Sequence, residues 1–233
     1  MRPIQTIEKL VRAGRERLYP SISNPNWIVL RSRRRIFRRW FHALHFQGAK
    51  VLDIGGRIQP YRELIPFPHQ YWSLDVRQTA LVNVLGNAES LPFADDSLDV
   101  VICTQMIEYV TDPAALAREM YRVLRPGGSL LLSAPSIFPR DSEHDRWRFF
   151  PVTLRQLFTQ FSEVEVLPEC GSIAGFVRTM AVMCDFSARY KAVRFALGCS
   201  LFPLINVLAG LSESLIGTKD GSFTVNYSVR AVK

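Results

Sequence analysis

VLDIGGRIQPYREL, Val51 to Leu64, is the stretch that decides the fold. An apolar run ends in Asp53, turns through Gly55-Gly56 and enters a helix-like segment after Pro60. Strand, glycine turn and helix in that order form the first unit of an open α/β sheet. Ligands of such sheets sit outside the carboxyl ends of the strands, where the strand order reverses. Glycine at that turn lets the backbone approach a ligand closely. Asp75 ends the next apolar run, 22 residues after Asp53. An acid there can accept both hydroxyls of a ribose. A dinucleotide is disfavoured, because Arg57-Ile58-Gln59 puts side chains where a pyrophosphate would approach and Pro60 removes a donor N–H. A ligand with a ribose and no phosphate fits better.

Working outward, short apolar runs alternate with helical patterns. Strands are expected at Lys50–Ile54, Tyr71–Val76, Leu81–Leu85, Leu98–Cys103 and Ser129–Ala134. Pro113–Leu124 reads as a helix with Leu116, Met120, Val123 and Leu124 on its buried stripe, ended by Gly127-Gly128. Further on, Leu154–Phe161 reads as a helix, Val164–Leu167 as a sixth strand and Ser222–Val232 as a last one. The fold class is α/β: a doubly wound, mostly parallel, seven-stranded sheet with right-handed crossovers. The expected division is an N-terminal arm over residues 1–49 and a domain over residues 50–233, with an apolar helical insertion at about 173–217 before the last strand.

Charge separates the arm from the rest. The chain has 233 residues and a formal net charge of +8; residues 1–50 hold 12 Lys/Arg and 2 acids, the remainder 17 and 19. Within RSRRRIFRRWFHALHF, Arg31 to Phe46, residues Ile36, Phe37, Trp40, Phe41 and Leu44 share one helical face. Arg31, Arg34, Arg35, Arg38 and Arg39 surround that face. Such a helix lies on an anionic membrane surface or caps a core with its apolar side. Nucleic acid is disfavoured, because the arginines interleave with bulky apolar residues. Phe195 to Ser212 runs 18 residues without a charge, at the short end of a membrane span. Pro203, Asn206 and two glycines point instead to a helical hairpin or interfacial segment. Cys103, Cys170, Cys184 and Cys199 make no C-x-x-C pair, so neither a zinc site nor a disulfide framework is indicated and a reducing cytosol fits. No signal-peptide core is read at the N-terminus, and a cytoplasmic location, peripheral on the inner membrane face, is expected.

VLDIGG, the acid in LDV, GNAESLPFADDSLDVVICTQMIEYVTDP and REMYRVLRPGGSLLLSAPS follow one another. Their order and spacing resemble the motifs of class I S-adenosylmethionine-dependent methyltransferases, in the small-molecule branch, over roughly residues 50 to 135. GGRIQPYREL and HDRWRF, His144 to Phe149, also resemble a bacterial subgroup that accompanies surface-glycan biosynthesis. The resemblance implies S-adenosyl-L-methionine as cofactor. Asp53 and the Gly55-Gly56 backbone would face its methionine part. Asp75 would hold the ribose hydroxyls, with Val76 against the adenine. Asn87 and Ala88 would meet the adenine edge, and Thr104 and Gln105 would line the methionine pocket. The chain departs from the family at Arg57 (usually glycine), Asn87 (usually Asp) and Tyr109 (usually His). Asn87 can still accept from an adenine amino group.

Methyl transfer from a sulfonium is an in-line displacement that depends on orientation, and an oxygen acceptor often needs a base. His144, followed by Asp145, is the candidate in sequence; the pair either takes a proton or holds its loop over the pocket. No metal is expected. The basic arm and the apolar insertion together point to a small-molecule or lipid-linked glycan acceptor near a membrane, for O-methylation. A soluble small-metabolite methyltransferase and a non-catalytic scaffold are the alternatives.

Overall fold

The computed structural model describes residues 6–46, 48–67, 69–140, 142–216 and 222–233. The chain begins with α1 (Ile7–Leu18) and α2 (Trp27–Ala43). Then come β1 (Ala49–Ile54), β2 (His69–Asp75), β3 (Val84–Leu85), β4 (Leu98–Thr104), α3 (Pro113–Val123), β5 (Leu124–Pro135), α4 (Pro151–Leu157) and β6 (Glu163–Pro168). Three helices, α5 (Ser172–Ser187), α6 (Lys191–Cys199) and α7 (Leu201–Ile216), separate β6 from β7 (Asn226–Val232). The strands form one seven-stranded sheet ordered β3-β2-β1-β4-β5-β7-β6. The first five pair in parallel, while β7 runs antiparallel to both neighbours. Strand order reverses between β1 and β4, so a cleft opens at their carboxyl ends.

Alternation along the central strands sorts their side chains onto two faces. Leu52, Ile54, Val101, Cys103, Leu130 and Leu132 meet Leu116, Met120 and Val123 of α3 and Phe158 beyond α4. Val51, Val100, Ile102 and Leu131 face the other way and meet Phe37, Trp40 and Phe41 of α2. The apolar stripe of the arm is therefore core, with Phe37 and Phe41 fully buried. It is not free to enter a bilayer, and the core-capping alternative describes this helix.

The same packing explains a departure from the expected strand–turn–helix unit. After the glycine turn there is only a 3-10 turn at Arg62–Leu64. The face that a β1–β2 helix would cover is already filled by α2. The third strand is shorter than expected. Asn83 accepts from the Ser73 N–H at 2.7 Å and donates to the Tyr71 carbonyl at 3.2 Å, side-chain bonds that take the place of ladder bonds ahead of β3. Gly127-Gly128 does not end α3. The helix stops at Val123, and both glycines lie inside β5, where the register with β4 shifts between Leu98 and Val100. The sixth and seventh strands fall where expected, with β7 starting later, at Asn226.

The apolar insertion lies between β6 and β7, up to residue 216; its expected end at residue 217 lies outside the described residues. Lys191–Leu215 is long and apolar enough to cross a membrane by length and composition, with a mean hydropathy of 1.8 over its most apolar 18 residues. It is interrupted at Ser200, three residues before Pro203, which cannot donate to the preceding turn. Asn206 fixes its inner side: the buried amide donates to the carbonyls of Ile22 at 2.7 Å and Asn24 at 2.9 Å. The outer sides stay uncovered, with Ile173, Phe176, Met180 and Met183 exposed on α5 and Leu204, Val207, Leu208 and Leu211 on α7.

Candidate functional site

The glycine turn is built by its contacts. Gly55 has φ +79°, a left-handed conformation that favours glycine, and its N–H donates to the Leu74 carbonyl at 2.7 Å. A Cβ at Gly56 would stand 2.8 Å from Asp53 Oδ2 and 2.9 Å from the Asp53 carbonyl oxygen, so no larger residue fits. Ser73 Oγ donates to the Gly56 carbonyl at 2.9 Å, tying the turn to β2.

Beside this turn is a cavity of about 660 Å³ at the switch point of the sheet. Gly55, Asp75, Val76, Asn87, Ala88 and His144 line it, together with Arg57, Met106 and Tyr109. Asp75 is buried at its wall. Oδ1 accepts from the Arg77 N–H at 2.8 Å and Oδ2 pairs with Arg57 Nε at 3.1 Å. Val76 is exposed, and Asn87 Oδ1 accepts from the Glu89 N–H at 3.0 Å.

The other expected residues sit elsewhere. Asp53 shares the parity of Val51 and points to the α2 side, where Tyr71 donates to it at 2.7 Å. Burial pushes its carboxyl up to about 7, against the Tyr71 bond and Arg17. Thr104 ends β4 and lines neither cavity described here. Gln105, at φ +51°, donates to Ser133 Oγ at 3.1 Å and lines a second cavity with Asp145. His144 and Asp145 therefore diverge. His144 is exposed at the rim, 3.6 Å from Glu143, whereas buried Asp145 is held by the Arg148 guanidinium, with Nη2 at 2.7 Å. The two close a turn, with the Asp145 N–H donating to the Ser142 carbonyl at 3.3 Å, so adjacency in sequence did not bring them to one cavity.

The second cavity, of about 540 Å³, adjoins the first, and Arg57 and Tyr109 line both. It also collects residues absent from the sequence-based site: Arg17 of α1, Arg33 of α2, Glu108, Arg178 of α5 and Asn226 of β7. Glu108 is 4 % exposed, and its Oε2 has no hydrogen-bond partner. Burial raises its carboxyl to about 8, with Arg17 opposing and Asp145 adding to the rise. Arg178 is 3 % exposed; it donates through Nη2 to Asn26 Oδ1 and lies 4.4 Å over the Phe138 ring. Its Nε and Nη1 have no partner. Burial, with Arg33 nearby, lowers its proton affinity to about 10. The signal in sequence was slight: a lone arginine in the otherwise apolar SIAGFVRTMAVMC and a lone acid in MIEYV.

Residues 60–132 match the family described as "Methyltransferase domain". An uncharacterized methyltransferase of Mycobacterium sp. strain KMS is 37% identical over 97 residues, which cover 37% of this chain and 38% of that protein. The ubiquinone/menaquinone biosynthesis C-methyltransferase UbiE of Klebsiella pneumoniae is 44% identical over 69 residues, 28% of each chain. The match thus spans less than two fifths of these relatives. Among solved structures, phosphoethanolamine N-methyltransferase 2 of Haemonchus contortus in complex with S-adenosyl-L-methionine superposes with TM-score 0.54 at 16% identity, over 99% of this chain and 60% of that one. The [4+2]-cyclase SpnF superposes with TM-score 0.53 at 16% identity, over 84% and 80%. One fold thus carries proteins described by different reactions, and the reaction has to be argued from the site. The seven-stranded sheet with its flanking helices is the Rossmann-like methyltransferase fold, and residues 60–132 carry the sequence pattern of a methyltransferase domain.

Proposed function

We propose that the chain is an S-adenosylmethionine-dependent methyltransferase whose cofactor occupies the cavity beside Gly55-Gly56. The observation that carries this is the convergence of the left-handed glycine, buried Asp75 and the Asn87-Ala88 segment on one cavity at the switch point. The domain match over residues 60–132 supports it. Asp75 accepts the two ribose hydroxyls, which its carboxylate can do while keeping the Arg77 N–H. Val76 covers one adenine face; Asn87 and Ala88 meet the adenine edge. The Gly55-Gly56 backbone borders the methionine end, whereas Thr104 and Gln105 do not line this cavity and take no cofactor contact in this reading. Asp53 acts through the turn, beneath Gly56. The bound cofactor supplies an electrophilic methyl group. His144 at the rim is the proton acceptor taken from sequence, and Asp145 holds its loop through Arg148.

The acceptor we propose is a small-molecule or lipid-linked glycan, methylated on oxygen at a lipid surface. The exposed apolar sides of α5 and α7 support the membrane part. So does the position of Arg31 and Arg35, near enough to Glu213 on α7 to act on its charge, which puts cations beside the apolar face. Flotation with anionic phosphatidylglycerol vesicles is expected to carry the wild type upward, and Phe176→Ser with Leu208→Ser to leave it in the dense fraction. A wild type that stays behind and sediments as a dimer would assign the apolar face to a second copy.

One observation favours a lapsed site: Arg57 already neutralises Asp75. Calorimetric titration with S-adenosylmethionine and S-adenosylhomocysteine separates the readings. Micromolar binding is expected for the wild type, weakened about 10–100-fold in Asp75→Ala by loss of hydrogen bonds to a charged group. A folded wild type that binds neither compound would leave the scaffold reading in the lead.

A further inference from the structure

The second cavity contains more positive charge than its own residues neutralise. Arg33 is fully matched by Glu169, Arg57 pairs with Asp75, and Asp145 is held by Arg148. Arg178 keeps Nε and Nη1 without a partner, and Arg17 keeps Nε so. Glu16 lies at the same wall but is exposed, with Arg12 3.6 Å away. Glu108 is the remaining acid, and burial raises its carboxyl, which opposes its ionisation. Arg17 is half-buried, whereas Arg178 is buried, and an incompletely paired buried cation is costly unless something else completes it.

We propose that this cavity is the acceptor pocket, and that its acceptor is an organic anion, a carboxylate or a phosphate, held by Arg178 and Arg17. Glu108 faces a polar group of the same molecule through its free Oε2. Recognition of the acceptor by its charge rests on the cofactor occupying the neighbouring cavity, which adjoins this one at Arg57 and Tyr109. The roof comes from the N-terminal arm, which supplies Arg17 and Asn26, and from α5, which supplies Arg178. The arm and the insertion thus have a role in substrate selection apart from any membrane contact. Charge-assisted bonds to a guanidinium carry that selectivity.

The test is thermal unfolding of the full chain with three probes: glucose 6-phosphate, glucuronate and glucose. A phosphate or carboxylate probe at about ten times its Kd is expected to raise Tm by about 3–6 °C, and neutral glucose to leave it unchanged. The response to one anion and not the other names the acceptor's charged group. Arg178→Met keeps the contact with Phe138 and removes the unpaired charge. It is expected to unfold at or above the wild-type temperature while its affinity for the anion falls tenfold or more. Arg178→Lys is expected to recover part of that affinity. Equal anion shifts in wild type and Arg178→Met, or none in either, would overturn the proposal. S-adenosylhomocysteine titrated in parallel separates the failures. Its binding without an anion response leaves the cofactor reading intact and removes this one. An anion response without its binding does the reverse.

Discussion

Arg33→Leu is expected to cost about 3–5 kcal/mol of stability, by leaving a buried carboxylate without its counter-ion. Arg33 is 1 % exposed and Glu169 is completely buried. Nε and Nη2 of the guanidinium donate to Oε1 and Oε2, both at 2.8 Å. Ser133 of β5 and Ser228 of β7 donate to the same Oε1 at 2.6 Å and 2.8 Å. The network joins α2, the segment after β6 and two strands. Burial favours a neutral guanidine, but Glu169 and the Tyr61 hydroxyl outweigh it and hold the proton on Arg33. Urea unfolding of Arg33→Leu should show the loss. Arg33→Lys should also fall well short of the wild type, because an ammonium cannot reproduce the two parallel bonds. The double variant Arg33→Leu with Glu169→Leu is expected to regain most of the stability, since both charges leave together. A single variant within about 0.5 kcal/mol of the wild type would mean that Glu169 is solvated and the pair is not the clamp described.

Between pH 5 and pH 8 the chain is expected to lose stability, unlike a protein governed by ion-paired surface carboxylates. Asp53 and Glu108 hold their protons in the folded state up to about 7 and about 8, through burial. Unfolded, they release them near their ordinary values of 3.8 and 4.5. Over that interval the folded chain binds more protons, so the free energy of unfolding falls as pH rises. The contribution is fully present below the unfolded values and is lost on passing the folded ones. Its full extent is on the order of 4 kcal/mol per group. Glu108→Gln and Asp53→Asn keep the shape and remove the titration. Each is expected to flatten its share of the slope in urea unfolding at pH 5, 6.5 and 8, and to exceed the wild type at pH 8. Slopes that stay parallel in all three proteins would show that these carboxyls are hydrated.

Continuous apolar runs bounded by turn residues made the central strands legible, because a strand buried on both faces is apolar at successive positions. The glycine turn and Asp75 were legible for a similar reason: each is demanded locally, by backbone conformation or by position at a strand end. What covers the α2 side of the sheet was not local. The stripe of Phe37, Trp40 and Phe41 states that α2 packs on something, and lipid or a sheet face satisfies it equally. The second cavity was hidden for a related reason. Arg33 is one arginine in a run rich in arginine, and its partner lies 136 residues away. Nothing in the run distinguishes the buried member from its solvated neighbours. His144 and Asp145 are the opposite case: adjacent in sequence and closing one turn, the first is exposed at the rim and the second is buried.

The placement of α2 also fixes an order of assembly during synthesis. The helix leaves the ribosome before the strands it covers, with its aromatic side uncovered and Arg33 unmatched. Val51 arrives early, Leu131 much later, and Glu169 after that. The native neighbours of this helix are therefore long-range and made later than it, which slows folding and prolongs the exposure of apolar surface. A nascent chain halted before residue 169 holds an arginine whose burial nothing yet offsets. Its arm is held short of its final seat until the second half of the chain emerges.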